Sequence, residues 1–291
     1  MALTVQEALA QSGLARLDAR LLLAHVLGVD RAWPVAHASD VLPDERVQAF
    51  ARLAARRRAG EPVAYLTGER EFFALPLAVD ARVLIPRPET EILVEAALAA
   101  LPANRAMDVL DLGTGSGAVA LAIAHARPHA RVIAVDASAD ALAVARRNGD
   151  RLKLGNVHLL QSDWYDGLPP EPARFDLIAS NPPYVAAADP HLLEGDVRFE
   201  PASALRAGAD GLDALRVVVR GAPARLVPRG TLVVEHGFDQ AAAVRALMID
   251  AGLVDVRTSV DLAGLERVTA GRATRRSRVP AMDSVQQPFT R

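Results

Sequence analysis

Val109-Leu-Asp-Leu-Gly-Thr-Gly-Ser-Gly-Ala118 decides the fold: a short apolar run, Val109–Leu112, stops at three alternate glycines, and a helical pattern opens at Ala118. Glycine has no Cβ, so Gly113, Gly115 and Gly117 let the backbone turn tightly and let a ligand approach closely. Downstream the alternation continues. Val132–Val135, Val157–Leu160, Phe175–Ser180 and Thr231–Glu235 are short apolar runs suited to buried parallel strands. Helical stretches near Ala118–Ala126, Asp140–Asn148, Leu212–Leu226 and Gln240–Ala251 separate or follow them. This order predicts an α/β fold, with a doubly wound sheet over residues 107–272.

Upstream, residues 1–75 read as helical. Leu3, Ala8 and Leu9 begin one apolar face, and Leu14, Leu17, Leu21, Leu22 and Val26 continue a second. A third runs from about Pro43 to Ala59 and stops at Gly60. Glu71–Val79 then suggests a hairpin, and Pro86 and Pro88 lead into a helix from about Glu89 to Leu101, so residues 76–106 link the two parts. Residues 273–291 have no period, carry four Arg and are expected to form a flexible tail.

Composition bounds the chemistry. The chain has 291 residues, 33 Lys+Arg against 35 Asp+Glu, and no cysteine. Disulfides, thiol nucleophiles and cysteine-held metal centres are excluded. His125 and His129 have the spacing of a metal pair, but Pro128 should end their helix, so no metal is expected. Residues 71–270 hold 19 basic and 26 acidic side chains, a poor balance for gripping a phosphate backbone. Apolar runs such as Leu21–Leu23 and Val217–Val219 are far short of a membrane span. Glu7, Arg16, Asp18 and Arg20 interrupt the first 28 residues, unlike a signal peptide. A cytoplasmic protein without membrane or direct nucleic-acid partners is expected.

Asp136 ends the second strand, where a carboxylate can accept both hydroxyls of an adenosine ribose. The glycine loop with this acid about twenty residues on suits an adenosine-containing ligand, and by itself fits a nicotinamide cofactor as well as S-adenosylmethionine. Asn181-Pro-Pro-Tyr184 narrows the choice, since it follows Phe175–Ser180 directly, where open α/β sheets bind ligands. Two prolines make a stiff bend. The Asn181 side-chain oxygen and the Pro182 carbonyl can then both accept from a planar NH₂ group, and Tyr184 offers a face to stack on. Holding both hydrogens of an amide while aiming its nitrogen at a methyl donor is catalysis by positioning. An exocyclic amine of adenine or cytosine presents the same NH₂, so a nucleic-acid amino methyltransferase is the competing reading.

These two motifs resemble the Asn/Asp-Pro-Pro-Tyr class of S-adenosylmethionine-dependent amino methyltransferases. Within it the chain resembles the PrmC/HemK family of peptide chain release factor glutamine N5-methyltransferases. The resemblance is carried also by Gly68-Glu-Arg-Glu-Phe72, Val83-Leu-Ile-Pro-Arg-Pro-Glu-Thr-Glu91, Asp196-Val-Arg-Phe-Glu-Pro201 and Leu265-Glu-Arg-Val-Thr269. It implies a helical N-terminal substrate-recognition domain before a seven-stranded Rossmann-like domain, and release factors 1 and 2 as protein substrates. Glutamine methylation of a ribosomal protein is the near alternative. By position, Gly113, Thr114, Gly115, Ser116, Gly117, Asp136, Trp164 and Asn181 would hold S-adenosyl-L-methionine and its product S-adenosyl-L-homocysteine. Asn181, Pro182, Pro183, Tyr184 and Arg87 would hold the substrate amide, with Asn181, Pro182 and Tyr184 catalytic. Ala74 stands where the resemblance leads us to expect glycine, which bears on the hairpin.

Three segments have blander readings beside sharper ones. Ile85-Pro-Arg-Pro-Glu-Thr90 would wall the site with Arg87, as the resemblance implies, or its Glu89, with Glu91, simply favours the start of a helix. Asp189–Pro201, with Asp196, Arg198 and Glu200, reads as a salt-bridged loop or as a lid. Arg56-Arg57-Arg58 reads most simply as a solvated helix end.

Overall fold

A computed structural model describes residues 3–169 and 174–274. Five helices come first: α1 Val5–Gln11, α2 Arg16–Leu27, α3 Trp33–Ala36, α4 Asp44–Arg58 and α5 Val63–Thr67. Thr4 caps α1 in a reciprocal box with Glu7, and Gly28 ends α2 in the left-handed conformation. Their core joins Val5, Ala8, Ala19, Leu22, Leu23, Leu42, Phe50 and Leu66. Leu17, expected on the same face, is 68% exposed. At about 100° per residue it lies some 140° around α2 from Leu22, so the buried stripe starts at Ala19 instead.

The hairpin follows as β1 Glu69–Phe72 and β2 Leu75–Ala78, with Phe72 opposite Leu75. Its two turn residues, Phe73 (φ 50°) and Ala74 (φ 59°), both adopt the left-handed conformation that a two-residue hairpin needs. Helix α6, Glu91–Ala100, starts after a 3₁₀ turn at Pro88–Thr90, and its Glu91 carboxylate accepts the Phe73 N–H at 2.9 Å.

The catalytic-sized remainder is β3 Asp108–Leu112, α7 Ala118–Ala126, β4 Arg131–Asp136, α8 Ala139–Leu152, β5 Val157–Gln161, β6 Phe175–Ser180, α9 Asp213–Arg225, β7 Leu226–Glu235, α10 Ala241–Asp250, β8 Val254–Val260 and β9 Glu266–Arg272. Seven strands form one sheet in the order β5-β4-β3-β6-β7-β9-β8. The first five neighbours pair in parallel, and β9 runs antiparallel to both β7 and β8. The seven-stranded α/β sheet expected from the resemblance is therefore present.

Alternation along each strand builds two cores. Val109, Val132, Ala134, Leu177, Ala179 and Val233 face α6 and α7. Leu110, Leu112, Val135, Ile178, Leu232 and Val234 face α9 and α10, where Leu215, Val218, Val219, Val244 and Met248 meet them. Ala118–Ala124 is buried all round, because its alanines allow close approach to the sheet and to neighbouring helices. Each fully buried aliphatic side chain contributes about 1.5–3 kcal/mol.

β8 and β9 have no counterpart among the strands read from residue pattern. Val254-Asp-Val-Arg-Thr-Ser-Val260 is mostly exposed, so its apolar residues are too sparse to signal a strand. At the C-terminal end Ala273 is buried and donates its N–H to the Gly230 carbonyl at 2.8 Å, which carries regular pairing past 272. The expected flexible tail otherwise lies at 275–291, outside the described residues.

Candidate active site

The strand order reverses between β3 and β6, and ligands bind open α/β sheets at such switch points. A cavity of about 540 Å³ lies there. The glycine loop, the end of β4, the turn at Asp163-Trp164, the start of Asn181–Tyr184 and the segment Pro201–Ala204 wall it. That volume is within the range of small-molecule and cofactor sites.

The loop is fastened from behind. Gly113 and Thr114 both donate their N–H groups to the Val135 carbonyl at 2.9 Å. Thr114 also donates its hydroxyl to Asp111 Oδ2 at 2.7 Å. Burial pushes the Asp111 carboxyl up to about 7, opposed by that hydroxyl and by the Ala120 N–H. Gly115 (φ 56°) is open: a Cβ there would meet nothing within 4 Å. Gly117 (φ 85°) is the reverse, because a Cβ would come to 2.9 Å from Leu121 Cδ1 and 3.3 Å from Ala145 Cβ. Gly113, Thr114, Gly115 and Ser116 thus line the cavity, whereas Gly117 sits at the head of α7 packed on α8 and is not in the wall.

Asp136 lies in the wall, with Oδ2 accepting the Gly115 N–H and Oδ1 the Ser138 N–H, both at 2.9 Å. Each oxygen keeps a lone pair for a ligand hydroxyl. Trp164 has φ 49° and lies beside Gly113, whose Cβ position is 3.6 Å from the ring. Ser162 holds this turn by donating to the Trp164 carbonyl at 2.8 Å and accepting the Gly167 N–H at 2.8 Å. An aromatic face, a ribose-accepting carboxylate and a glycine cradle without Cβ obstruction together suit an adenosine cofactor.

Asn181 and Pro183 line the cavity; Pro182 and Tyr184 do not. Asn181 donates Nδ2–H to Thr90 Oγ1 at 3.2 Å, which leaves its Oδ1 as an acceptor. The ring of Tyr184 is half-buried against the core under α9 and its hydroxyl donates to Glu235 Oε1 at 3.2 Å. Part of the ring expected to stack on a substrate is therefore packed against the core. Burial beside Glu235 drives the Tyr184 phenol upward.

Pro86 and Thr90 bring the Ile85–Thr90 segment into the cavity wall, and Glu235 is a residue that reading by motif missed. Glu235 closes β7, one position past the Ser180–Val234 pair, which sets it beside Asn181. It is 1% exposed, and burial pushes its carboxyl up to about 7 against the pull of Thr90, Tyr184 and Arg267. A carboxylate ending an apolar strand run was its only visible signal.

Arg87 is also absent from the wall. It pairs with Glu200, whose side chain is fully buried and which accepts the Ile85 N–H at 3.0 Å. The guanidinium expected at the substrate is thus paired to a buried acid through one nitrogen while its side chain stays partly exposed. Asp189–Pro201 forms 3₁₀ turns tied to the helical part: Arg57 bridges Asp18 at 2.7 Å and Asp196 at 2.6 Å, and Arg198 donates to the Ala59 carbonyl at 2.6 Å. Arg56 pairs with Glu61 and Arg58 donates to the Ser12 carbonyl while both stay exposed, so the solvated helix end expected there is also tied to its neighbours. Helix α7 ends at Ala126, before His129, and among the described residues no group of three metal-ligating side chains occurs. No helix among them is long and apolar enough to cross a membrane.

Comparison with known proteins gives two family matches: the PrmC N-terminal domain over residues 4–68 and the methyltransferase small domain over residues 89–197. A release factor glutamine methyltransferase from Bordetella pertussis is 52% identical over 267 residues, covering 92% of this chain and 98% of that protein. The protein of the same name from Escherichia coli is 48% identical over 257 residues, covering 88% of this chain and 92% of its own. Among solved structures, a methyltransferase from Pyrococcus furiosus shares the fold, with a TM-score of 0.54 at 18% identity over 77% of this chain and 99% of that one.

Proposed function

This chain belongs to the release factor glutamine methyltransferase family, and we propose that it methylates the glutamine of the Gly-Gly-Gln motif in release factors 1 and 2. It is an S-adenosylmethionine-dependent enzyme whose product is an N5-methylated glutamine side chain. The observation that carries the reading is Asn181-Pro-Pro-Tyr184 at the carboxyl end of β6, with Asn181 beside the glycine-loop cavity and its Oδ1 accepting no hydrogen bond among the described residues. We assign the site by residue. Gly113, Thr114, Gly115 and Ser116 cradle the methionine part of the cofactor, Asp136 the ribose and Trp164 the adenine. S-adenosylmethionine supplies a methyl group on a positively charged sulfur.

The protein's part is positional. An amide nitrogen is a weak nucleophile because its lone pair is delocalised into the carbonyl. Asn181 Oδ1 accepts one hydrogen of the substrate NH₂ and the Pro182 backbone carbonyl the other, so the nitrogen is aimed and its pyramidal form favoured. Pro182 and Pro183 make this acceptor pair stiff. The enzyme acts in the cytoplasm, with the helices of residues 1–75 recognising the release factor and residues 107–272 performing transfer.

The test uses isotopically labelled S-adenosylmethionine and purified release factors. Label is expected at the Gly-Gly-Gln glutamine and is lost when that glutamine is replaced. Label persisting at another residue, or appearing on nucleic acid instead, sinks the assignment.

A further inference from the structure

We infer that Arg57 is a positioning residue that couples the helical part to the transfer site. By holding the segment between Val185 and Leu205 in place, it makes protein substrate and cofactor favour each other's binding. The inference rests on the reading above, in which the helices of residues 1–75 receive the release factor.

The segment leaves the chain at the substrate motif and comes back to the cavity. Directly after Tyr184, Val185 donates its N–H to the Leu205 carbonyl and accepts the Ala207 N–H, both at 2.9 Å, so the two ends of the excursion are clamped together. Between them the chain crosses to the helical part and returns as Pro201, Ser203 and Ala204, which wall the cavity.

Its hold on the helices is polar. Arg57, in the last turn of α4, reaches Asp18 on α2 at 2.7 Å and Asp196 at 2.6 Å, so one guanidinium ties two helices to the segment. Arg198 donates to the Ala59 carbonyl at 2.6 Å, at the C-terminal end of α4 where the helix dipole favours a cation. It lies so close over Gly60 (φ 98°) that a Cβ there would clash with its Nη2. Apolar packing adds little: of residues 189–200 only Leu192 and Glu200 are buried, and Leu193 is 74% exposed. A segment held mainly by polar ties opens at a small cost in free energy.

Both sides of the cavity share this anchorage. Ala81–Leu84 and Pro86 line it as well, and Tyr65 on α5 donates its hydroxyl to the Val83 carbonyl at 2.6 Å. Glu200 joins the two sides, accepting the Ile85 N–H at 3.0 Å and pairing with Arg87. The wall made by Pro201–Ala204 is complete only while Arg57 and Arg198 keep the segment docked, so cofactor favours the docked state. Docking in turn needs α2 and the end of α4 in their present relation, because Arg57 spans both, and a protein bound across these helices fixes that relation. Two ligands that favour one state raise each other's affinity by the same factor.

The experiment measures by calorimetry the affinity of the full chain for S-adenosyl-L-homocysteine with and without release factor, and for release factor with and without S-adenosyl-L-homocysteine. In the wild type each should tighten the other by about fivefold or more, equally in both directions. Arg57→Met and Asp196→Ala should each bring the factor below about twofold, and the double variant should lose no more than either alone, because both cut one tie. Asp196→Ala leaves the Arg57–Asp18 pair in place, so it tests the tie even where Arg57→Met fails to fold. Arg131→Gln, which breaks an exposed pair with Asp108 at the other end of the sheet, should keep the wild-type factor. A merely structural loss would weaken affinities without changing the factor. A wild-type factor near one, or a factor unchanged in Asp196→Ala, overturns the inference. If release factor does not bind the wild type, the substrate reading fails, and hydrogen exchange still decides the tie. S-adenosyl-L-homocysteine should slow exchange of the Phe199 and Glu200 N–H groups in the wild type and not in Asp196→Ala; equal protection in both overturns the inference as well.

Discussion

Replacing Arg87 with methionine should destabilise the protein by an amount that grows with pH. Glu200 has no exposed side-chain surface, whereas Arg87 is 32% exposed, so the variant leaves a buried acid without its cation. Glu200 keeps the Ile85 N–H at 3.0 Å as a donor. Burial already raises its pKa above the usual carboxylate range, and Arg87 is the main influence pulling it down. Without Arg87 the pKa rises further. A carboxyl whose folded pKa is raised binds more protons in the native state than in the unfolded chain, so stability falls as pH climbs from the unfolded pKa to the folded one and is level above it.

The magnitude follows from two limits. Below the wild-type folded pKa Glu200 is neutral in both proteins, and the extra loss is about one hydrogen bond, about 1 kcal/mol. Between that pKa and the higher one of the variant, each pH unit adds up to ~1.4 kcal/mol to the loss, which is level above it. Breaking a buried pair costs about 3–5 kcal/mol, and the partial exposure of Arg87 brings this to about 2–3 kcal/mol at pH 8. Urea unfolding of wild type and variant at pH 5.5 and pH 8 measures the difference. Adding Glu200→Gln removes the titrating group while retaining an acceptor for Ile85, and should abolish the pH dependence. Equal destabilisation at both pH values would refute the reasoning, because it would mean that Arg87 contributes packing and not charge compensation.

Three further outcomes follow from backbone and burial. Gly117→Ala should cost about 2–4 kcal/mol, left-handed strain plus a Cβ forced onto Leu121 and Ala145, whereas Gly115→Ala should cost only about 1–2 kcal/mol and instead weaken S-adenosylmethionine binding; thermal unfolding and calorimetry separate them. Ala74→Gly should stabilise by about 0.5 kcal/mol, since relief of strain at φ 59° outweighs the greater freedom of glycine in the unfolded chain, and denaturant midpoints read this directly. Asp111→Asn should gain on the wild type as pH rises from 5 to 8: the carboxyl near 7 is neutral at the lower pH and an unwelcome buried charge at the higher, so a relative stability independent of pH would contradict that assignment.

How much of this was readable from residues depended on whether the signal was local. Strands buried on both faces declared themselves as continuous apolar runs, and Phe175–Ser180 and Ala118–Ala126 fall where their patterns placed them. The β8–β9 pair did not, because edge strands with an exposed face hold themselves by pairing and not by apolar content. Leu17 was misplaced for a related reason: a Leu-rich stretch fits more than one helical stripe, and only the partners Val5, Leu42 and Phe50 select Ala19, Leu22 and Leu23.

The site divides along the same line. Glycines and prolines act through their own backbones, so the loop and Asn181–Pro183 could be read in isolation. Arg87 could not, because whether a guanidinium meets a substrate or a buried acid is decided by Glu200, more than a hundred residues away. Glu235 is the strongest case. In sequence it is one carboxylate after Thr231-Leu-Val-Val, indistinguishable from an acid that ends a strand in water. Only the parallel pairing of β6 with β7 sets it beside Asn181, and only the segment before α6 brings Thr90 to the Asn181 amide. The residues that touch a substrate carry recognisable chemistry of their own, whereas those that aim them acquire a role from their neighbours. A motif can therefore name the reaction while leaving out the buried groups packed behind it.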